Sequence, residues 1–195
     1  MAKNTLQSIF DKNRFDFSIT KKSKTWFDQQ AQLLAGKGIS PKKLLADQTM
    51  TFKNNIVPGN LYMFMYDPKY KETLPYYDKF PMVFPWKKTD SGFIGLNLHY
   101  LPYGLRVRLM DKLLTFKTNK NMDDKTRLQF SWSLIDGAAK FAPAKPCVKQ
   151  YLMDHVKSPF IKISSKDWPT AMMMPVERFV GATNQYVWQD SVKRI

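Results

Sequence analysis

The stretch 58–101 places the strongest constraint on the fold, because it predicts three consecutive β-strands. The predicted strands occupy 61–66, 80–86 and 93–100, and each is an aromatic-rich run bounded by Pro, Gly, Asp or Ser. Such runs are typical of strands and hairpins. The short turn at 87–92 favours an antiparallel hairpin between the second and third strands.

Residues 103–158 show helical spacing of apolar residues instead and predict three helices. The first would bury Leu105, Leu109, Leu113 and Phe116, which recur at helical spacing. The second is predicted for 123–140, with an aspartate as its N-cap. The third is predicted for 146–158, since proline is favoured at the first helical position and the helix must end before Pro159.

Strand character returns after Pro159. Residues 160–163 alternate along the chain and predict a strand. A single-turn helical link at 164–169 then leads to a last short strand at 171–174, which Pro175 ends.

These elements together predict an α+β fold with three parts. The central part, 58–180, is expected to be a small SH3-like β-barrel, with 103–158 as a three-helix insertion between its third and fourth strands. Residues 1–57 are expected to form an extended basic N-terminal arm with a short helix. Residues 181–195 are expected to form a C-terminal tail, which adds another short helix.

The arm contains two local helix signals. Residues 23–34 predict a helix capped by Ser23, and the glycines of 36–38 would end it. Ser40 and Pro41 predict a second helical turn. The rest of the arm either lies along DNA phosphates or threads between neighbouring subunits, and the sequence leaves both open.

The charge of the chain predicts a polyanionic partner. The sequence has 31 Lys+Arg against 16 Asp+Glu, a formal net charge of +15. Such an excess is typical of proteins that bind nucleic acid or an anionic membrane, although a subunit of a large assembly can also carry it. The charge lies in the arm and the helices. The candidate phosphate-binding residues are Lys21, Lys22, Lys24, Lys42, Lys43, Arg106, Arg108, Lys112, Lys117 and Lys120.

The aromatic residues of 58–101 have two interpretations. They could stack on the bases of a single strand. However, few cations are interleaved with them, and a strand-rich segment needs aromatic side chains for its own core. Core packing is therefore the preferred interpretation, and the methionine run at 172–174 is interpreted in the same way.

Catalytic and cofactor-binding patterns are missing from the sequence. His99 and His155 fit no metal-ligand spacing, and no phosphate-binding loop or nucleophile elbow is present. Asp111 and Asp154 would belong to a metal site only in a nuclease, which nothing in their spacing supports. We therefore predict a protein that is not an enzyme and has no metal or cofactor.

Cysteine usage and hydropathy bear on the compartment. Cys147 is the one cysteine, so no internal disulfide can form, and a reducing compartment is expected. No apolar run approaches the roughly 20 residues needed to cross a bilayer, and the first residues lack the apolar core of a signal peptide. The sequence thus predicts a protein made in a cytoplasm, with no membrane partner.

Three phrases of the sequence resemble a known family when taken as a set. They are 74–81 (LPYYDKFP), 95–102 (GLNLHYLP) and 167–179, which runs from Asp-Trp-Pro to Pro-Val-Glu-Arg-Phe. They resemble a family of virion proteins from T-even-type contractile-tailed phages, the DNA end protector or head-completion proteins. The resemblance implies a protein made in the host bacterium and carried in the virion at the portal or neck, where it shields the genome end from host exonuclease. No functional residue is carried over from the family.

Two functions follow from the sequence. The first is a non-enzymatic virion protein that binds a double-stranded DNA end through phosphate contacts. The alternative is an architectural neck, tail or baseplate protein that contacts mainly other proteins. Portal, neck or tail proteins are expected partners in either case, and a homo-oligomer in the particle is left open.

Overall fold

The computed structural model describes residues 10, 24–47, 50–117 and 142–195 of the chain, and these residues form an α+β fold. The helices are α1 (Lys24–Ala35), α2 (Pro41–Ala46), α3 (Tyr103–Lys117), α4 (Trp168–Met173) and α5 (Asn184–Lys193). The strands are β1 (Thr51–Lys53), β2 (Leu61–Met63), β3 (Tyr77–Asp78), β4 (Met82–Thr89), β5 (Gly92–Asn97), β6 (Val148–Leu152), β7 (Phe160–Ile163) and β8 (Phe179–Val180). The predicted α+β class is confirmed.

Six strands form one antiparallel sheet in the order β1-β7-β2-β4-β5-β6, and β3 pairs with β8 in a separate ribbon. The predicted hairpin is confirmed, because β4 and β5 pair from Thr89 and Gly92 to Val83 and Asn97. Its register shifts next to Pro85. A proline has no N–H to donate, so a β-bulge is a common place for one inside a sheet.

The main sheet curls so that distant strands share one aromatic cluster. Phe64, just after β2, lies within 6.0 Å of the rings of Phe93, Tyr151 and Phe160, which come from β5, β6 and β7. One bridge, from Tyr66 to a residue after β6, joins two distant parts of the sheet. These aromatics are buried, which confirms core packing. A closed SH3-like barrel is not confirmed, because β1 and β6 do not pair with each other.

Two glycines of β5 lie where no side chain fits. A Cβ at Gly92 would stand 1.9 Å from the carbonyl oxygen of Tyr151, and one at Gly95 would stand 2.4 Å from Cγ1 of Val83. Both distances are far below van der Waals contact. The backbone of β5 therefore approaches its two neighbouring strands more closely than any other residue type would allow.

The predicted third helix is wrong. Residues 148–152 form β6, which pairs along β5 from Gly92 to Leu96, and a 3₁₀ turn at Ala142–Cys147 precedes it. Apolar residues at 148, 151 and 152 fit a helix as well as a strand. The free edge of β5 favours the strand, because its backbone N–H and C=O groups hydrogen-bond to those of 148–152. In a helix these groups would have been paired within the segment itself.

The predicted last strand at 171–174 is also wrong. These residues belong mainly to helix α4, which follows a 3₁₀ turn at Ser165–Asp167 and ends at Met173. All six residues of α4 are buried, so the expectation of a buried apolar run is confirmed although its type is not. A short apolar run bounded by prolines gives no periodicity with which to separate the two.

The described part of the arm is helical and packed rather than extended. Helix α1 ends at the predicted glycines, and Phe27 and Leu34 on it are buried in the main core. The predicted second helical turn is confirmed as α2, and Ser40 caps it by accepting a bond from the backbone N–H of Lys43 at 3.3 Å. Strand β1 joins the main sheet beside β7. The predicted cap at Ser23 lies outside the described residues.

The first predicted helix of the insertion is confirmed as α3, and its predicted buried face is confirmed in part. Leu109 is buried as predicted and Leu105 only partly, while the side chains of Leu113 and Phe116 lie outside the described residues. Arg106 and Met110 are buried as well. The second predicted helix, 123–140, lies outside the described residues. The short helix in the C-terminal tail is confirmed as α5.

Candidate nucleic-acid interface

A buried carboxylate, Asp78, lies at the end of β3 and holds three parts of the chain together. It is 3% exposed and accepts hydrogen bonds from the backbone N–H groups of Phe80 and Arg178, at 3.0 and 3.1 Å. Its other oxygen accepts from the Asn97 amide at 3.2 Å and lies 2.7 Å from Nδ1 of His99. Asp78 thus joins Asn97 and His99, at and after the end of β5, to the backbone of Arg178 just before β8.

A buried ion pair between Arg106 and Glu177 lies next to this group. Nη1 of Arg106 is 3.4 Å from Oε2 of Glu177, and neither side chain is accessible. The guanidinium also donates to the carbonyl oxygens of Leu101 and His99, at 2.6 and 3.1 Å. Tyr103 donates its hydroxyl to the other oxygen of Glu177 at 3.0 Å. Arg106 therefore has partners around its whole planar fork.

Helix α5 closes over these groups. Asn184 donates to Glu177 at 3.0 Å, and the indole N–H of Trp188 donates to the carbonyl oxygen of His99 at 2.8 Å. Tyr76 donates its hydroxyl to Asp190 on the same helix, and burial together with this bond raises the pKa of Tyr76 to about 12. We call Asp78, Asn97, His99, Arg106 and Glu177 the buried polar cluster.

The two acids of the buried polar cluster stay ionised because their partners outweigh burial. Burial alone would raise the pKa of Asp78, but the charge and hydrogen bond of His99 and two backbone N–H groups hold it below its ordinary value. Burial would likewise raise the pKa of Glu177, but the charges of Arg106 and His99 lower it below its ordinary value. The cluster is a set of compensated charges with no access for a ligand.

The prediction that Arg106 binds phosphate is wrong. Its side chain is 0% exposed and its guanidinium is bound to Glu177, so a phosphate cannot reach it. No sequence pattern signals this pair, because 71 residues separate the two partners.

The other predicted phosphate-binding residues divide into two groups. Lys42 and Lys43 on α2 and Arg108 on α3 are exposed. Lys42 lines a cavity with Arg178, and Arg108 lines a different one with Lys193, so the structure does not bring Lys42 and Arg108 together in one cavity. Six candidate side chains lie outside the described part of the chain: Lys21, Lys22, Lys24, Lys112, Lys117 and Lys120.

Sequence reasoning missed a polar cavity at the β1 edge of the main sheet. Its volume is about 410 Å³, and its polar lining comprises Thr51, Lys53, Asn60, Lys162, Ser164, Ser165 and Asp167. We call it the β1–β7 cavity. The alternation of 160–163 is a usable signal for it, since it places Lys162 on the sheet face opposite Ile161 and Ile163.

Burial makes the accessible charge more positive than the composition suggests. Among the described residues, one lysine or arginine is buried, Arg106, against three carboxylates, Asp78, Asp167 and Glu177. Among the described residues, burial thus removes more acids than cations from the surface. The formal net charge of the whole chain is +15.

The part of the chain that is described holds no group of three His, Cys, Asp or Glu residues able to bind a metal ion. None of its helices is long and apolar enough to cross a bilayer. Cys147 is buried, and this burial raises the pKa of its thiol to about 12. It is the last residue of the 3₁₀ turn that precedes β6.

The comparisons with known proteins give one family. The family model described as "Phage T4 terminal DNA protecting protein" matches residues 7–194. Neither the curated proteins nor the solved structures give a match. The match spans nearly the whole sequence, including the three phrases that carry the family resemblance. Asp78, Asn97, His99 and Glu177 come from those phrases and lie together in the buried polar cluster. The chain belongs to the family of phage T4 terminal DNA protecting proteins.

Proposed function

We propose that the chain binds the end of the packaged phage genome through phosphate contacts and so protects it from exonucleases. The family membership carries this proposal, since the family is described as one that protects terminal DNA. The formal net charge of +15 supplies the physical basis, because a positively charged protein attracts a polyanion whatever its base sequence.

The proposed mechanism needs no catalysis. Exposed lysine and arginine side chains release counterions from the phosphates, which supplies most of the affinity and makes it independent of base sequence. A protein that covers the terminus excludes an exonuclease from its substrate by occupancy. Lys42, Lys43 and Arg108 are the exposed members of the predicted set and are the proposed contacts.

The position of the protein is part of the same proposal. A DNA end inside a filled phage head is presented at the portal or neck, so a protein that protects it acts there, in the virion, after synthesis in the host bacterium. Portal, neck or tail proteins are then its neighbours. Sedimentation of the purified chain with and without linear DNA measures whether several copies act together.

A protection assay tests the function. The purified chain is incubated with linear duplex DNA and an exonuclease, across a salt series, and the surviving DNA is measured. We expect protection at low salt that falls steeply as salt rises. For each tenfold rise in salt concentration, the logarithm of the binding constant should decrease by roughly 0.9 per phosphate contacted. A relaxed, covalently closed circle carrying the same sequence, titrated in parallel, separates binding at ends from binding along the duplex.

Two outcomes would contradict the proposal. Absence of binding to linear DNA at low salt would show that the proposed phosphate contacts do not form. Fixed-stoichiometry assembly with a portal or tail protein, without any DNA affinity, would favour the architectural alternative.

A further inference from the structure

The β1–β7 cavity brings two lysines to one face of the sheet. Thr51 pairs directly with Lys162, and Lys53 pairs with Phe160. Directly paired residues of antiparallel strands project from the same face, and a diagonal neighbour stands about 7–8 Å away. Lys162 therefore has Thr51 beside it and Lys53 on its diagonal. Both lysines line the cavity.

Neutral hydrogen-bonding groups also line the cavity, together with the apolar residues Phe10, Met50 and Ile163. Ser164 and Ser165 follow β7, and Asn60 precedes β2, whose Leu61 pairs with Ile163. Ser164 precedes the 3₁₀ turn without capping it through its side chain, so its hydroxyl is not committed to that turn. Hydroxyl and amide groups beside two ammonium groups are a donor set for the oxygens of a phosphate.

The charges in the cavity favour an anion. Within the part of the chain that is described, neither Lys53 nor Lys162 forms an ion pair, although ion pairs elsewhere in this structure are well formed. Asp167 also lines the cavity, but it is only 1% exposed. Lys166, next to it in sequence, is exposed. The accessible groups are thus mainly cationic.

The charge of the cavity, more than its size, favours a DNA terminus over the rest of a duplex. Its volume of about 410 Å³ lies within the range of small-ligand sites, which is roughly 300–1,000 Å³, so a phosphate group fits in it. A phosphate monoester at such an end carries about −1.5 to −2 charges at neutral pH and three acceptor oxygens. Two lysines match that charge better than they match a single diester.

We infer that the β1–β7 cavity binds the terminal phosphate of a DNA strand, with Lys53 and Lys162 as its charged contacts. This inference rests on the proposed function, because it names the group by which the end is recognised. The exposed cations on α2 and α3 would then contribute affinity for any phosphate, while the cavity contributes preference for an end.

Binding to three blunt duplexes of one sequence tests the inference. Their strands end in 5′-phosphate, 3′-phosphate or hydroxyl groups alone, and fluorescence anisotropy at fixed salt gives each dissociation constant for the full chain. We expect one of the phosphorylated duplexes to bind on the order of tenfold more tightly than the hydroxyl duplex, as charge-assisted hydrogen bonds allow. The Lys53→Gln/Lys162→Gln variant should bind all three alike. Inorganic phosphate should compete for the wild-type preference.

A control variant with the same loss of charge is available on β4. Lys87 and Lys88 are exposed and lie outside the cavity lining. Lys87→Gln/Lys88→Gln should weaken binding to every duplex alike and keep the preference for the phosphorylated end. Thermal melting of each variant confirms folding, and Lys53→Gln alone, at an exposed position, gives a second test if the double variant melts early.

The outcomes separate the cavity from the proposed function. Wild-type binding to ends without any preference for a phosphorylated duplex overturns the inference and leaves the function standing. The same holds if the preference survives Lys53→Gln/Lys162→Gln. Failure of the wild-type chain to bind any linear duplex overturns the proposed function itself.

Discussion

Arg106 and Lys162 show two opposite uses of positive charge in one chain. Arg106 is enclosed with Glu177 and has hydrogen-bond partners around its guanidinium. Lys162 is half-buried in the β1–β7 cavity beside Lys53 and forms no ion pair within the described ranges. Net charge alone cannot separate the two. What separates them is whether the fold brings a carboxylate to the cation, and only a cation without one keeps its charge for a ligand.

The same difference decides what a mutation will do in each place. Removing one partner of a buried pair leaves the other charge without compensation, whereas exposed charges contribute little to folding stability. We therefore expect changes in the buried polar cluster to lower stability. Changes to the exposed cations should lower DNA affinity and leave stability almost unaltered.

The largest expected effect is in the buried polar cluster. Glu177→Ala leaves Arg106 buried and without its carboxylate, so the free energy of unfolding should fall by about 3–5 kcal/mol. Urea denaturation of the purified chain measures it. Glu72→Ala, at an exposed glutamate, is the matched control and should change stability by less than about 0.5 kcal/mol. Equal losses in the two variants would contradict the pairing with Arg106.

A double variant sharpens this result. Arg106→Met combined with Glu177→Ala removes both charges, so the loss should be smaller than the sum of the two single losses. Simple additivity would mean that the ion pair contributes no coupling energy, and the buried polar cluster would then be held by its neutral hydrogen bonds.

Acid should destabilise the protein to a smaller extent. The folded-state pKa values of Asp78 and Glu177 lie below their ordinary values of 3.8 and 4.5. The unfolded chain then binds protons first, so this contribution is complete above about pH 4.5 and is lost as pH falls through the folded pKa values. Thermal midpoints measured from about pH 6 to about pH 3 should fall, and Glu177→Gln should show a shallower fall. A rising midpoint on acidification would contradict the assignment.

The smallest effect on folding is expected on α2. Lys42→Gln/Lys43→Gln should change the free energy of unfolding by less than about 0.5 kcal/mol, since both side chains are exposed. The same variant should weaken binding to linear DNA, and the salt slope should fall by about one for each phosphate that the variant no longer binds. Titrations at several salt concentrations measure both. An unchanged salt slope would show that Lys42 and Lys43 on α2 do not contact the DNA phosphates.

Local signals in the sequence are enough for the elements that are determined locally. The β4–β5 hairpin follows from two strand-like runs and a short turn, and helix α2 follows from Ser40 and Pro41. These features depend on residues a few positions apart. They are predictable because turn and cap chemistry act within one segment of chain.

Elements determined by distant partners are not predictable in this way. The pattern at 148–152 predicts a helix where β6 forms, because the exposed edge of β5 cannot be read from those residues. Arg106 looks like a surface cation in the sequence because its partner Glu177 lies far along the chain. In the β1–β7 cavity, Lys53 and Lys162 meet only through the pairing of β1 with β7. Each miss is a contact between segments that single-sequence patterns do not record.

The close approach of β5 to its neighbours limits how this family member can vary. Every single amino-acid replacement of Gly92 or Gly95 adds a Cβ, which would stand within 2.4 Å of an atom on an adjoining strand. At Gly92 the obstacle is backbone, and at Gly95 the backbone carbonyl oxygen of Phe84 stands at 2.8 Å beside the Val83 methyl group, so neither position can open cheaply. In a library of random missense variants selected for a folded protein, we expect glycine to be retained at both positions. The exposed lysines of β4, Lys87 and Lys88, should accept many different residues.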